Sequence, residues 1–174
     1  MPIKVTALPG VPRWAALAAH AVPLVTLPSG LWRVALVVGL PVAAEPQRGT
    51  GEAVYVLMLS VVSEALALLT LGLVREWGET VPGWVPVLGG RRVRPSAAVV
   101  PALLGAAGLF GLMGWAFYAQ IAGLGSETAV TDGTAQTTLL VFCYIPLIAW
   151  PPLLTAVALA YYRRRTTYAS SEAA

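Results

Sequence analysis

Four long apolar runs constrain this chain more than any motif in it. They cover residues 14–44, 53–74, 97–123 and 137–162, and each holds at least the roughly 20 residues an α-helix needs to cross a hydrocarbon core of ~30 Å. Lipid offers a peptide backbone no hydrogen-bond partner, so each run is read as a spanning helix. With 57% hydrophobic and only 11% charged residues, and a mean hydropathy of +0.75, the chain is excluded from the free-standing water-soluble domains. The expected fold is an all-α integral membrane four-helix bundle. Its first helix is expected to kink near Pro23 and Pro28, because proline removes a backbone donor inside a helix. Residues 1–12 form a cytoplasmic N-terminus, 13–162 a single transmembrane domain, and 163–174 a basic, disordered cytoplasmic tail.

The charges set the direction. Lys4, Arg13, Arg75, Arg91, Arg92, Arg94 and Arg163–Arg165 all fall on one side if the spans alternate, whereas the two opposite loops carry Glu45, Arg48 and Glu52, then Glu127 and Asp132. Cationic loops stay in the cytoplasm, which gives an N-in, C-in orientation. Folding the first run back at Leu27-Pro28-Ser29-Gly30 would leave halves of about 14 residues, roughly 21 Å long, too short to cross. It would also send Arg91, Arg92 and Arg94 outward, against the charge bias. A cleaved signal peptide ending near Val42-Ala43-Ala44 is the other reading of this stretch, but its apolar part would be about twice the usual length and would contain Arg33.

Within the spans, Arg33 is expected about ten residues from the outer end of the first helix, and Glu64 about twelve from the outer start of the second, at depths of roughly 15 and 18 Å. An unpaired charge at mid-bilayer costs about 2.5–3.5 kcal/mol or more, so an Arg33–Glu64 contact is predicted. Ser29 and Ser60 each precede one of these charges by four residues and share its helical face, completing a polar cluster of Ser29, Arg33, Ser60 and Glu64. The cluster either fixes helix register or binds a ligand, proton or substrate. Trp115, Tyr118 and Gln120 of the third helix, with Tyr144 and Trp150 of the fourth, are candidates for the wall of a pocket beside it, although aromatics there also serve as core or interface anchors. Pro146, Pro151 and Pro152 are expected to open the fourth helix locally. Gly105, Gly108, Gly111 and Gly114 leave a groove on the third for a close helix contact.

The long connection after the second span combines Trp77 and Trp84 with Arg91, Arg92 and Arg94. That pattern suits a segment at the headgroup level facing anionic lipid, with Glu76 and Glu79 able to pair with those arginines. A phosphate-binding acid/base site for a lipid-linked substrate is the functional alternative for the same residues, and nucleic-acid binding is disfavoured by their closeness to the bilayer. One cysteine, Cys143, and one histidine, His20, are too few for a disulfide, a metal site or a Ser-His or Cys-His nucleophile system, and no phosphate-cradling GxxxxGK[ST] run occurs. No metal and no cofactor is expected.

Leu27-Pro28-Ser29-Gly30-Leu31-Trp32-Arg33, together with Arg75-Glu76-Trp77-Gly78-Glu79 and Val81-Pro82-Gly83-Trp84-Val85-Pro86-Val87-Leu88-Gly89-Gly90-Arg91-Arg92-Val93, resembles a family of small uncharacterised four-span membrane proteins of high-GC actinobacterial genomes. The resemblance implies a multi-pass protein of the bacterial plasma membrane and transfers no catalytic residue. The absence of a catalytic signature favours a bundle that binds a small molecule, a lipid or another apolar ligand, or an accessory subunit with a membrane partner protein. The alternative is an intramembrane isomerase or cyclase of an isoprenoid-like substrate, with Glu64 as the acid and aromatics stabilising a cation. A transporter would need a second copy, because no convincing internal duplication is visible.

Overall fold

A computed structural model describes residues 8, 10–44, 49–80, 83, 89–124 and 130–172, with side chains as far as residue 166. Among these residues the chain is all-helical apart from one isolated bridge between Thr80 and Arg92, and four of its helices are long and apolar enough to cross a membrane. Helix α1 spans Arg13–Val37 and runs through Pro23 and Pro28 as one continuous helix, which overturns the folded-back reading. Helix α2, Thr50–Leu69, continues as a 3₁₀ turn over Thr70–Leu73, and a second 3₁₀ turn follows at Glu76–Gly78. Helix α3 spans Pro95–Ile121. The fourth span joins α4 (Thr134–Tyr144), a 3₁₀ segment (Ile145–Ala149) and α5 (Trp150–Glu172). Pro146, Pro151 and Pro152 each withhold an i→i−4 donor, which accounts for the tighter winding between α4 and α5.

Two boundaries differ from the sequence reading. The first helix stops at Val37, seven residues short of Ala44, although the residues in between are apolar. Gly39 adopts a left-handed φ of +85°, its N–H bonds Leu36 O at 3.1 Å, and Leu40 N–H bonds Ala35 O at 3.0 Å. This paired closure satisfies the last carbonyls of the helix, and Pro41 prevents its continuation. At the other end of the chain, residues 163–172 continue α5 as helix where a disordered tail was expected.

Among the described residues the four long helices pack as an open row within the expected helical bundle. The central seam joins the first span to the last: Ala15, Ala16 and Ala19 of α1 and Ala158 of α5 are almost wholly buried, and their small side chains permit close backbone approach. Val22, Leu154, Val157 and Tyr161 fill out this core. Helix α2 lies along α1, and α3 lies along α5 through Val99 and Ala106. Among the described residues α2 and α3 share no substantial interface. Among the described residues the glycine groove on α3 is therefore unfilled, since a methyl group added at Gly105, Gly108, Gly111 or Gly114 would meet nothing within 4 Å. Only 11% of the most apolar stretch of α3 is buried, and the many exposed Leu, Val, Ile and Phe side chains make the row a surface suited to lipid.

Connections at the two ends of the row group as alternate crossings require. At one end Leu8 N–H bonds Val74 O at 3.0 Å, and Glu79 meets the end of α5. At the other, Ala44 N–H bonds Val130 O at 3.0 Å, while Gln136 Nε2 donates to Pro41 O at 3.1 Å and Ala43 O at 3.3 Å.

Candidate functional site

Among the described residues, Glu64 is the one acidic side chain in the middle of a helix long and apolar enough to cross a membrane. It lies 14 residues, or about 21 Å, from the start of α2. Arg33 lies only four residues, about 6 Å, from the end of α1. The early stop of α1 thus removes the level opposition on which the Arg33–Glu64 pairing depended, and the two do not pair. Glu64 instead meets α1 about two turns deeper. Thr26 Oγ1 donates to Glu64 Oε2 at 3.0 Å, and Glu64 Oε1 lies 3.3 Å from where a β-carbon on Gly30 would stand. Any larger residue at 30 would press on the carboxylate, so Gly30 sets how closely α2 can approach.

The Thr26 hydroxyl carries one proton and has further acceptors in reach, Pro23 O at 3.0 Å and Val22 O at 3.4 Å. Ser29 Oγ donates to Thr26 O at 2.8 Å and Ser60 Oγ to Val56 O at 2.9 Å. Each serine therefore bonds its own helix, and neither bonds Arg33 or Glu64. Thr26 was missing from the sequence reading. Its signal was its spacing: Thr26, Ser29, Gly30 and Arg33 fall at i, i+3, i+4 and i+7, on one face.

Arg33 turns to α4. Its guanidinium stands 5.8 Å from the centroid of the Tyr144 ring, whose other contact is an edge-to-face arrangement with Trp32 at 5.6 Å and 81°. Tyr144 is thus brought to Arg33, and Trp150 is buried in the core of α5. The rest of the expected pocket wall is not assembled. Trp115, Tyr118 and Gln120 are exposed on the C-terminal half of α3, whose main neighbour is α5, so they are not brought to Glu64.

A second polar cluster closes the arginine-rich end. Glu79 pairs with Arg164 at 2.5 Å and with Arg165 at 3.2 Å, where the sequence reading offered it Arg91, Arg92 and Arg94. Arg165 also donates to Val93 O at 3.0 Å, Val93 N–H bonds Glu79 O at 2.8 Å, and Tyr161 Oη donates to Gly78 O at 3.3 Å. Both guanidinium groups stand about 6 Å from the Tyr161 ring centroid, a cation–π distance. The same end holds His20, whose Nδ1–H donates to Ala16 O at 2.7 Å, leaving Nε2 to accept from Arg75 Nη2 at 3.4 Å. Of the residues assigned to lipid contact, Arg91, Arg92 and Arg94 are exposed, and Trp77 is partly exposed with its ring against Gly72. Trp84 and Lys4 lie outside the described residues.

Among the described residues no three His, Cys, Asp or Glu side chains gather as a metal site. The arrangement locks helices together: a carboxylate ties α2 to α1, an aromatic ties α4 to α1, and an ion-pair cluster ties the loop after α2 to α5. Comparison with protein-family models, curated proteins and solved structures finds no match.

Proposed function

We propose that this chain is a non-catalytic multi-pass protein of the bacterial plasma membrane, an accessory subunit oriented with both termini in the cytoplasm. The observation that carries the non-catalytic reading is the engagement of Glu64. An intramembrane acid catalyst needs its proton directed toward a substrate cavity, whereas this carboxylate is held by Thr26 and faces Gly30 on the neighbouring helix. The remaining groups that an isomerase or cyclase would recruit are dispersed: Arg33 is stacked on Tyr144, and Trp115 and Tyr118 lie on the far side of the row. The open row and the unfilled face of α3 support an accessory role, because both leave membrane-level surface available to another protein.

A double-mutant cycle tests the reading. Thr26→Val strands the carboxylate and is expected to cost about 1–3 kcal/mol, and Thr26→Val/Glu64→Leu recovers most of that loss by removing both polar partners. Unfolding in mixed micelles measures each variant. Removing a poised catalytic group commonly stabilises a protein, so a Glu64→Leu variant more stable than the parent would overturn the proposal.

A further inference from the structure

Beside the central seam, at the arginine-rich end, the start of α1 and the last membrane turns of α5 enclose an open groove of about 560 Å³. Its α5 wall is made by Ala156, Leu159, Ala160 and Arg163, which recur at i, i+3, i+4 and i+7 and so form one stripe about 10 Å long. Pro12 and Trp14 make the opposite wall. The groove is therefore apolar along its length and cationic at one end. Arg164 also lines it and pairs with Glu79. Glu79 is shared by Arg164 and Arg165, so the cluster keeps a positive excess before Arg163 is added. Trp14 is about half exposed at the mouth, where an amphipathic indole sits well at the boundary between acyl chains and headgroups.

We propose that this groove binds one anionic phospholipid. An acyl chain lies along Ala156, Leu159 and Ala160, the phosphate is held by Arg163, and Trp14 flanks the glycerol region. Charge complementarity selects an anionic headgroup, and the apolar floor selects a lipid over a free phosphate. The groove opens sideways from a membrane-spanning helix pair, so lipid is also the medium that surrounds it. This inference depends on the arginine-rich end lying at the headgroup level and is independent of whether Glu64 is catalytic.

The test is native mass spectrometry of the full chain released from nanodiscs of equimolar phosphatidylglycerol and phosphatidylcholine with identical acyl chains. The parent is expected to retain one phosphatidylglycerol in preference to phosphatidylcholine. Arg163→Gln weakens that retention about fivefold, the effect of one basic residue near an anionic lipid surface, while Arg163→Lys preserves it. Ala156→Phe fills the groove and removes the lipid with every arginine in place, and Leu159→Trp serves the same purpose if Ala156→Phe does not fold by circular dichroism. Leu104→Phe, on the exposed face of α3 and outside the groove, leaves retention unchanged. Equal retention of the two lipids, unaltered retention in Arg163→Gln or in the filled groove, an equal loss in Leu104→Phe, or displacement of the lipid by inorganic phosphate would each overturn the proposal.

Discussion

Gly78→Ala is the most demanding test of the fold at the arginine-rich end. Gly78 closes the 3₁₀ turn Glu76–Gly78, and a β-carbon there would overlap the carbonyl group of Gly72. That carbonyl cannot yield as a side-chain tip could, because it is backbone. Its own residue is held from another direction, since a β-carbon on Gly72 would stand 2.6 Å from Cζ3 of Trp77. The turn must therefore move. Its displacement carries Gly78 O away from Tyr161 Oη and shifts Glu79, the next residue, against Arg164 and Arg165. Overpacking of this kind costs about 1–3 kcal/mol, and the lost hydrogen bond adds about 0.5–1.5 kcal/mol. A sum of about 1.5–4.5 kcal/mol lowers the folding equilibrium roughly 10- to 1,600-fold. Unfolding by SDS in mixed micelles, followed by circular dichroism and tryptophan fluorescence, reads this directly. Gly83→Ala in the same loop is the control, because a β-carbon there has nothing within 4 Å. A Gly78→Ala protein as stable as Gly83→Ala would refute the argument.

Three further outcomes are expected. Glu79→Gln leaves Arg164, whose side chain is only 8% exposed, without its counter-ion, and should cost about 1–3 kcal/mol in the same titration. Gly105→Ala meets no neighbour and relieves the conformational freedom of a mid-helix glycine, so it should raise the stability of the isolated chain by about 0.5–1 kcal/mol; a loss would mean that the groove on α3 is filled. A fluorescent protein fused after Ala174 should light up and an alkaline phosphatase fused there should stay inactive, whereas an active phosphatase would place the C-terminus outside and reverse the orientation.

Hydropathy made the number and rough limits of the spanning helices readable, because burial in lipid needs nothing but length and apolarity. The end of the first helix was less visible. Residues 38–44 are as apolar as a spanning segment, and only Gly39 followed by Pro41 marks the stop. That single boundary decided the candidate site: moving it by seven residues places Arg33 near the end of α1 and leaves Glu64 opposite Thr26 and Gly30. Glu64 was recognisable as the buried charge needing a partner, but the identity of the partner is set by helix register, which hydropathy does not encode. For Glu79 the acidic residue was found and its partners were not. Arg164 and Arg165 are 85 and 86 residues away along the chain, and only the pairing of the first and last spans brings them near. The exposure of Trp115 and Tyr118 follows from the open row, a property of how whole helices associate.

That row also dictates an order of assembly during synthesis. Helix α2 emerges directly after α1 and can dock on it at once. Helix α3 finds its main neighbour only in α5, the last helix translated, and α1 likewise waits for α5 to complete its seam. A ribosome that stops after α3 would leave this apolar helix without its main neighbour among the described residues, so the final helix works as the keystone that gathers two earlier ones.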